Sequence, residues 1–518
     1  MREGYAQRRT AIDLAVLAVP GALLLFAAGA YIHYRYGYTL SGPTNAMGAD
    51  DAYISFRYAL NLWNGEGLVY NPGERVEGYS NLLFILLTLP AFLIGPDFAW
   101  PWSCLLNVAF AAGAIVLMHR HIDERHGPIL AGLAALLLAL HPLLWLWATS
   151  GMESSLILLL QVATWFLAVR RTQERAVNLW PLLAVAVLCV LTRADGVVTP
   201  VVAALYLACH GKRADALAVS GLAAATLIAL TLWRLSYYGL PLPNTYYVKV
   251  YGDPLIRLLN GGWHLVGLVV RPAFGVFVLA GIAGIAVNLR AVIACRSLAA
   301  VRFEPLLAAT LIAYYVYVGG DLMAERFLLV LIPLATAMAL DWAHDDIAKA
   351  LGTAGFLLAM QALPIVADAR FHYTADKRDI RIELGRFLGE RYPGALLATG
   401  AAGKIPFYSG LRTVDTLGLT DAKIARGPGV MAVRLMPGHG KYNPDYVLSR
   451  APDLIVERLG AGFDLYFGIT RAKWEAAGYR IKHLADLSAP GIVDTGNLPE
   501  AEIERLWLAG YRLAVLAR

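Results

Sequence analysis

Charge is scarce in this sequence. Only 16% of its 518 residues are Asp, Glu, Lys or Arg, against ~25% in soluble domains. Cysteine is nearly absent too. Cys104, Cys189, Cys209 and Cys295 are the only four, all in or beside apolar stretches, which excludes a disulfide framework and a zinc site. There is no P-loop, no dinucleotide fingerprint and no Ser-His-Asp arrangement. Internal repeats and low-complexity tracts are missing as well, and His33, His141 and His264 are too scattered for a metal set. What fills the chain instead is apolar: 58% of residues, more than one soluble core of this size can bury. The composition predicts a polytopic membrane protein. Its net charge of +6 falls in short basic runs between apolar stretches, so it reports topology and not a nucleic-acid partner.

The first apolar run, Ala11 to Ala30, has the layout of a signal peptide with Ala28-Gly29-Ala30 as a cleavage site. Its length also suits a first transmembrane helix, and further spans follow it, so retention is expected. Basic clusters then mark the cytoplasmic side: Arg2/Arg8/Arg9, His119–Arg125, Arg170–Arg175, Lys212/Arg213 and Arg290–Arg302. The stretch 80–118 splits at Gly95-Pro96 into one crossing and one juxtamembrane or re-entrant piece. Further spans are expected at 128–148, 154–170, 180–192, 197–210, 214–235, 263–287, 305–318, 326–342 and 348–366. The total is about eleven. An odd number puts residues 367–518 outside the cytoplasm. The expected fold is mainly α: a membrane domain over 1–366, then a soluble α/β domain over 367–518. In that tail, Asp376–Arg391 has helical spacing, Ala395–Thr399 and Leu454–Val456 read as short buried strands, and Trp474–Tyr479 as a helix end.

The scarce polar residues fall on one side of this topology. The loop over 31–79 holds Asp50, Asp51 and Arg57, then Glu77 and Tyr79. Glu153 lies in Ser150-Gly-Met-Glu-Ser154, and Arg193 and Asp195 lie between two short spans. Asn244, Tyr246 and Lys249 follow the seventh crossing. Asp321 and Arg326 follow the ninth, in Gly319-Gly-Asp-Leu-Met-Ala-Glu-Arg326. Charge at membrane depth is costly and marks a pathway or a site. Each cluster also has a plainer reading. Asp50-Asp51 could cap the helix that follows, whose run Tyr53-Ile54-Phe56-Arg57-Tyr58 suits an interfacial helix. Arg193, Lys249 and Arg326 could be snorkelling anchors. Asp195 and Glu325 could neutralise neighbouring arginines, and Glu77 and Glu153 could be ordinary loop carboxylates.

Together the clusters suit glycosyl transfer from a polyprenyl-phosphate sugar, whose lipid stays in the bilayer. Such a reaction needs a carboxylate to take the acceptor hydroxyl proton, fixed positive charge for the departing phosphate, here expected from Arg193, Lys249 and Arg326, and a groove open to lipid. A lipid-linked sugar flippase is the alternative from another class. It would place ionisable groups through the membrane's depth and show repeated halves, and neither is visible. In the tail, Tyr408, Arg412 and Asp415 are candidate acceptor contacts, although an ordinary domain surface explains them equally.

At Asp50-Asp51-Ala-Tyr-Ile-Ser-Phe-Arg-Tyr, Val76-Glu-Gly-Tyr-Ser-Asn, Gly319-Gly-Asp-Leu-Met-Ala-Glu-Arg-Phe and Gly403–Asp421, the sequence resembles the multi-spanning GT-C glycosyltransferases. Within them it is similar to the terminal arabinofuranosyltransferases of the mycobacterial cell wall and their bacterial relatives. The resemblance implies a long first outer loop carrying the catalytic aspartate, with Asp50 as base and Asp51 in support, and a second important outer loop after the seventh span. It also implies a polyprenyl-phosphate sugar as donor (decaprenyl-phosphate arabinofuranose), a cell-envelope glycan as acceptor, and no cofactor or metal. A cation site built from Asp50, Asp51, Glu77 and Asp321 stays open, because the oligosaccharyltransferase branch uses a metal. The setting implied is the bacterial inner membrane, with the chain working as a monomer and its site outside the cytoplasm. Protein O-glycosylation by the same fold is the alternative activity.

Overall fold

A computed structural model of the chain describes residues 2–36, 47–173, 178–321, 323–371, 379–429, 438–486 and 491–518. Among the described residues, five helices are long and apolar enough to cross a bilayer: Pro96–His126, Ser154–Thr172, Arg213–Tyr238, Phe274–Cys295 and Ile347–Ala367. A sixth crossing forms if Pro128–Ala139 and Pro142–Thr149, bent by 53°, count as one. That bend follows from Pro142, which cannot continue the preceding helix; the new helix starts with the His141 ring accepting from Leu143 N. Shorter apolar helices, such as Trp180–Thr192, Ala194–Cys209, Phe303–Tyr317 and Leu331–Ala343, pack among these.

Most expected segments are helical, with two corrections. The span expected over 263–287 is two helices, Pro254–Val269 and Pro272–Cys295. The break falls at Val270-Arg271 because Pro272 lacks an amide and disfavours helical geometry in the residue before it. The helix Pro254–Val269 is two-faced: it buries Arg257 and Asn260 and exposes Leu255, Leu259, Trp263 and Val266. The span expected over 326–342 starts later, at Leu331, after a short 3-10 turn over Ala324–Phe327. Residues 80–118 divide as expected at Gly95, whose φ of +144° only glycine adopts readily.

The segment after residue 379 is a different layer. Six strands, β1 (Leu396–Thr399), β2 (Arg412–Asp415), β3 (Leu454–Arg458), β4 (Arg480–Asp486), β5 (Ile492–Asp494) and β6 (Tyr511–Ala517), form one sheet in the order β2-β1-β3-β6-β4-β5. β1 pairs in parallel with β2 and β3, and β6 runs antiparallel to β3 and β4. Alternation along β3 and β6 sends Ile455, Ala514 and Leu516 to one face and Leu454, Val456, Leu513 and Val515 to the other. The helix Ile380–Arg391 covers the second face with Ile380, Leu384 and Leu388. Asp379 caps it by accepting from Arg381 N. The start expected at Asp376 lies outside the described residues.

The helix Asp50–Trp63 joins the two layers. It is not an interfacial helix: Ala52 through Ala59 are all buried. Its residues Tyr53 and Phe56 pack on Phe407 of the tail, with ring centroids 5.4 and 6.3 Å apart. Arg57, 4% exposed, donates to Tyr70 O (2.8 Å), Pro406 O (2.5 Å), Leu411 O (2.6 Å) and Asn71 Oδ1 (3.2 Å). This guanidinium therefore stitches the loop that follows its own helix to the sheet domain. Arg57→Leu strands those buried acceptors, so it should cost about 3 kcal/mol or more and lower the thermal midpoint in detergent, measured by intrinsic fluorescence.

Candidate active site

A cavity of about 1270 Å³ lies where the membrane helices meet the sheet domain. Asp50, Asp51, Tyr79, Glu153, Arg193, Asp195, Tyr246, Lys249, Asp321 and Arg326 all line it, so ten residues picked out from the sequence converge on one space. Glu153 stands at the start of the helix Ser154–Thr172, while Arg170 and Arg171 are in its last turn. At 1.5 Å per residue the cavity and this basic pair are ~25 Å apart.

Asp50 opens its helix at the junction with the tail. Its Oδ2 accepts from Gly403 N at 3.2 Å and its Oδ1 from Lys404 N at 3.1 Å, with Arg381 3.8 Å away. The backbones touch so closely that a Cβ on Gly403 would sit 1.9 Å from Asp50 O. Each carboxylate oxygen accepts one amide, which leaves each a further lone pair. Asp51 faces the opposite set of groups. Burial pushes its carboxyl up; Arg326 and Lys249 pull it back down, and Asp50 pushes it up.

The cations fall into two groups of opposite balance. Lys249 Nζ meets Asp321 Oδ2 at 2.6 Å, and Arg326 reaches the same oxygen at 3.5 Å. Two cations thus share one carboxylate. Asp321 lies well below the usual carboxylate range, since Lys249 and Arg326 outweigh the upward push of burial. Arg193 is the reverse: it donates to Asp195 (2.7 Å) and Glu153 (2.8 Å), and Asn81 also donates to Glu153 at 2.8 Å. With two carboxylates around it, Arg193 has its charge balanced within the protein, unlike Lys249 and Arg326. All three cations surround the Phe327 ring, at 4.5, 5.9 and 5.3 Å from its centroid for Arg193, Lys249 and Arg326.

Other expected residues are elsewhere. Arg57 is the stitch described above. Glu77 is buried against Arg234 (2.9 Å) beside a separate, smaller pocket, which takes it out of any cation site with Asp50, Asp51 and Asp321. Asn244 donates to Gly418 O and Leu419 O, at 2.7 and 3.1 Å. None of the three tail residues expected to touch acceptor lines the cavity. Tyr408 packs on Tyr53 and under Arg386. Arg412 is exposed and paired with Glu74. Asp415 is fully buried and accepts from the amides of Leu417, Gly418 and Thr420. Each was chosen for its chemistry, and each is used to hold a loop. Leu322, part of the Gly319–Arg326 motif, lies outside the described residues.

Sequence reasoning missed Arg271 and Arg370, which line the cavity and both pair with the buried Glu325. It also missed Phe327, although its position directly after Arg326 was a usable cue. From the tail come Arg381, Thr399, Gly400, Glu457, Tyr466 and Phe467, at positions no local pattern marks. Among the described residues, no group of three or more His, Cys, Asp or Glu side chains is placed to hold a metal ion.

The two cation groups differ in a measurable way. Arg193→Met leaves Glu153 and Asp195 buried without counter-charge and should cost about 3–5 kcal/mol. Lys249→Met leaves Arg326 beside Asp321 and should cost about 1 kcal/mol or less; thermal unfolding of the two variants in detergent checks the contrast. In the tail, burial pushes Glu457 up to about 7 and Asp415 up to about 6, against hydrogen bonds from Thr416 and Gly400 in the first case and Thr420 and Leu417 in the second. Both hold protons more tightly folded than unfolded, so the stability they lend is complete below ~4 and lost as pH rises through ~6–7. The thermal midpoint should fall between about pH 5 and 7.5, and Glu457→Gln should flatten the upper part of that fall.

The comparisons with known proteins come from both sequence and fold. A family described as a domain of unknown function (DUF8728) matches residues 369–498. A terminal beta-(1->2)-arabinofuranosyltransferase of Mycobacterium tuberculosis (strain ATCC 25618 / H37Rv) is 27% identical over 216 residues, 39% of this chain. The match covers about a third of that relative's length, 34%. ArnT from Cupriavidus metallidurans, solved bound to undecaprenyl phosphate, superposes with a TM-score of 0.57 at 12% identity, covering 98% of both chains. The oligosaccharyltransferase AglB from Archaeoglobus fulgidus, solved with an inhibitory peptide and a dolichol-phosphate, gives 0.55 at 12% identity, covering 94% of this chain and 75% of the other. These relatives are membrane glycosyltransferases. The chain has their GT-C fold and is similar in sequence to a mycobacterial terminal arabinofuranosyltransferase.

Proposed function

We propose that this protein is a membrane glycosyltransferase that moves a sugar, arabinofuranose by analogy with its sequence relative, from a polyprenyl-phosphate donor to a cell-envelope glycan. The observation that carries the reading is the arrangement of one cavity. Asp50 stands at its tail side, and the Lys249–Arg326 pair, with one carboxylate between them, stands at its membrane side. Leu143, Phe274, Val318, Pro364 and Ala367 give the same cavity an apolar wall, which suits a prenyl chain.

In this reading Lys249 and Arg326 hold the donor phosphate and receive the charge that develops as the bond to the sugar breaks. The electron pair of that bond leaves with the phosphate. The acceptor oxygen bonds to the anomeric carbon, and its proton passes to Asp50. The amides of Gly403 and Lys404 fix the Asp50 carboxylate while leaving lone pairs for this transfer. Asp51, beside the two cations, supports the phosphate end. Arg193 orders Glu153 and Asp195 at the cavity wall.

The topology belongs to the same proposal. The helix Arg2–Tyr36, the five long spans, the bent pair and the shorter helices over 180–192, 194–209, 303–317 and 331–343 make about eleven crossings. With the basic clusters inside a bacterial inner membrane, the cavity and the sheet domain face outward.

The purified protein, given a panel of polyprenyl-phosphate sugars and a short arabinan acceptor, should transfer from one donor, with the linkage determined on the product. Asp50→Asn should lose 10²-fold or more in kcat, on the order of a general base's contribution. Lys249→Met should weaken donor use, and an Asp50→Asn protein with full activity would remove the base assignment.

A further inference from the structure

The cavity has a second polar corner in the sheet domain, which the transfer chemistry above does not use. It lies at the carboxyl ends of the parallel strands β1 and β3, the edge at which open α/β sheets place their ligands. Glu457, 5% exposed, points from the end of β3 into this corner. Its Oε1 accepts from Gly400 N at 2.6 Å and from Thr416 Oγ1 at 2.7 Å. The Arg458 amide also donates to this carboxyl, and Glu457 remains on the cavity lining.

Beside it, the chain folds back after β3, with Tyr466 N donating to Arg458 O at 3.0 Å and Leu465 N to Ile469 O at 2.9 Å. This turn puts the rings of Tyr466 and Phe467 on the cavity wall. Phe467 sits at φ +61°, a left-handed conformation that a bulky side chain adopts only when its surroundings impose it. Gly400 completes the corner: a Cβ there would lie 3.0 Å from the Phe467 ring, 3.0 Å from Thr416 Oγ1 and 3.1 Å from Glu457 Oε1. An aromatic ring and an accepting carboxyl drawn together over Gly400 on one cavity wall suit a sugar, since it offers an apolar face and a rim of hydroxyls.

The corner is also within reach of the reacting centre. Gly400 N is on Glu457 and Gly403 N is on Asp50. Three residues of extended chain span at most ~11 Å, so a short oligosaccharide bridges the two carboxylates. We propose that Glu457, Phe467 and Gly400 form a carbohydrate subsite, in which a sugar residue of the acceptor stacks on Phe467 and donates a hydroxyl hydrogen bond to Glu457. The assignment rests on the glycosyl-transfer reading for its ligand class, and it replaces Tyr408, Arg412 and Asp415 as the tail's acceptor contacts.

The test uses the purified full chain in detergent. A linear arabinofuranose hexasaccharide is titrated by saturation-transfer difference NMR, and undecaprenyl phosphate separately by thermal stabilisation. Wild-type protein should bind the hexasaccharide. Phe467→Ala and Glu457→Gln should each weaken that binding about tenfold, the scale of one hydrogen bond to a charged group, with undecaprenyl phosphate binding unchanged. Gly400→Ala, which keeps both side chains and adds one methyl between them, should weaken it too, so the result does not depend on a single variant folding. Wild-type protein that fails to bind the hexasaccharide, or three variants that bind it as wild type does, overturns the subsite. Binding at these residues in a protein that transfers from no polyprenyl-phosphate donor supports the subsite and removes the transfer reading. Transfer with an unchanged acceptor KM in all three variants removes the subsite and keeps the transfer reading.

Discussion

The ion pair between Lys404 and Asp379 is wholly cut off from solvent, and the architecture of the site hangs on it. Neither side chain has any exposure; Lys404 Nζ lies 2.6 Å from Asp379 Oδ2 and also donates to Gly48 O at 2.8 Å. A charge buried this deeply is tolerable only when fully partnered, so the tail, its capping aspartate and the segment at Gly48 must all be in place for it. The backbone amide of the same lysine is on Asp50. One residue of the tail therefore secures the domain with its side chain and orients the proposed base with its main chain. The membrane helices alone would leave Asp50 without either restraint.

Charge balance around the cavity follows from the same economy of polar groups. In a chain with so few ionisable residues, almost every carboxylate near the cavity has an assigned cation: Asp195 and Glu153 have Arg193, Glu325 and Asp368 have Arg271 and Arg370, and Asp321 has Lys249 and Arg326. Only the last set has cations in excess. An anion entering the cavity is drawn to the place where the protein has left positive charge uncancelled, and Phe327 gives that place a flat floor.

Much of this was legible in the sequence, for identifiable reasons. Hydrophobic runs and proline breaks report local chain behaviour, so most helical segments were readable, and the carboxylates between them stood out against an apolar background. Arg193 was seen but its charge balance was not, because its partner Glu153 is forty positions away. Arg57 and Asp415 failed in another way. Each is polar and well placed by pattern, yet each spends its hydrogen bonds on backbone carbonyls or amides of a distant loop. The span at 263–287 was misplaced because apolar residues continue across Pro272 while the helix does not. Glu457 and Phe467 lie in a segment with no unusual composition, and only the parallel pairing of β1 with β3 carries them to the cavity.

The close seat of Gly403 on the Asp50 backbone bears on how the protein can turn over. A roof attached by main chain to main chain, above a fully buried lysine, cannot swing up like a hinged cap without exposing that ion pair and releasing the aspartate. In the proposed transfer, lipid would then arrive through the membrane flank and glycan along the seam beneath the sheet. Under that proposal the cavity has a fixed ceiling, and its cross-section, not the timing of a closing door, would set what it admits.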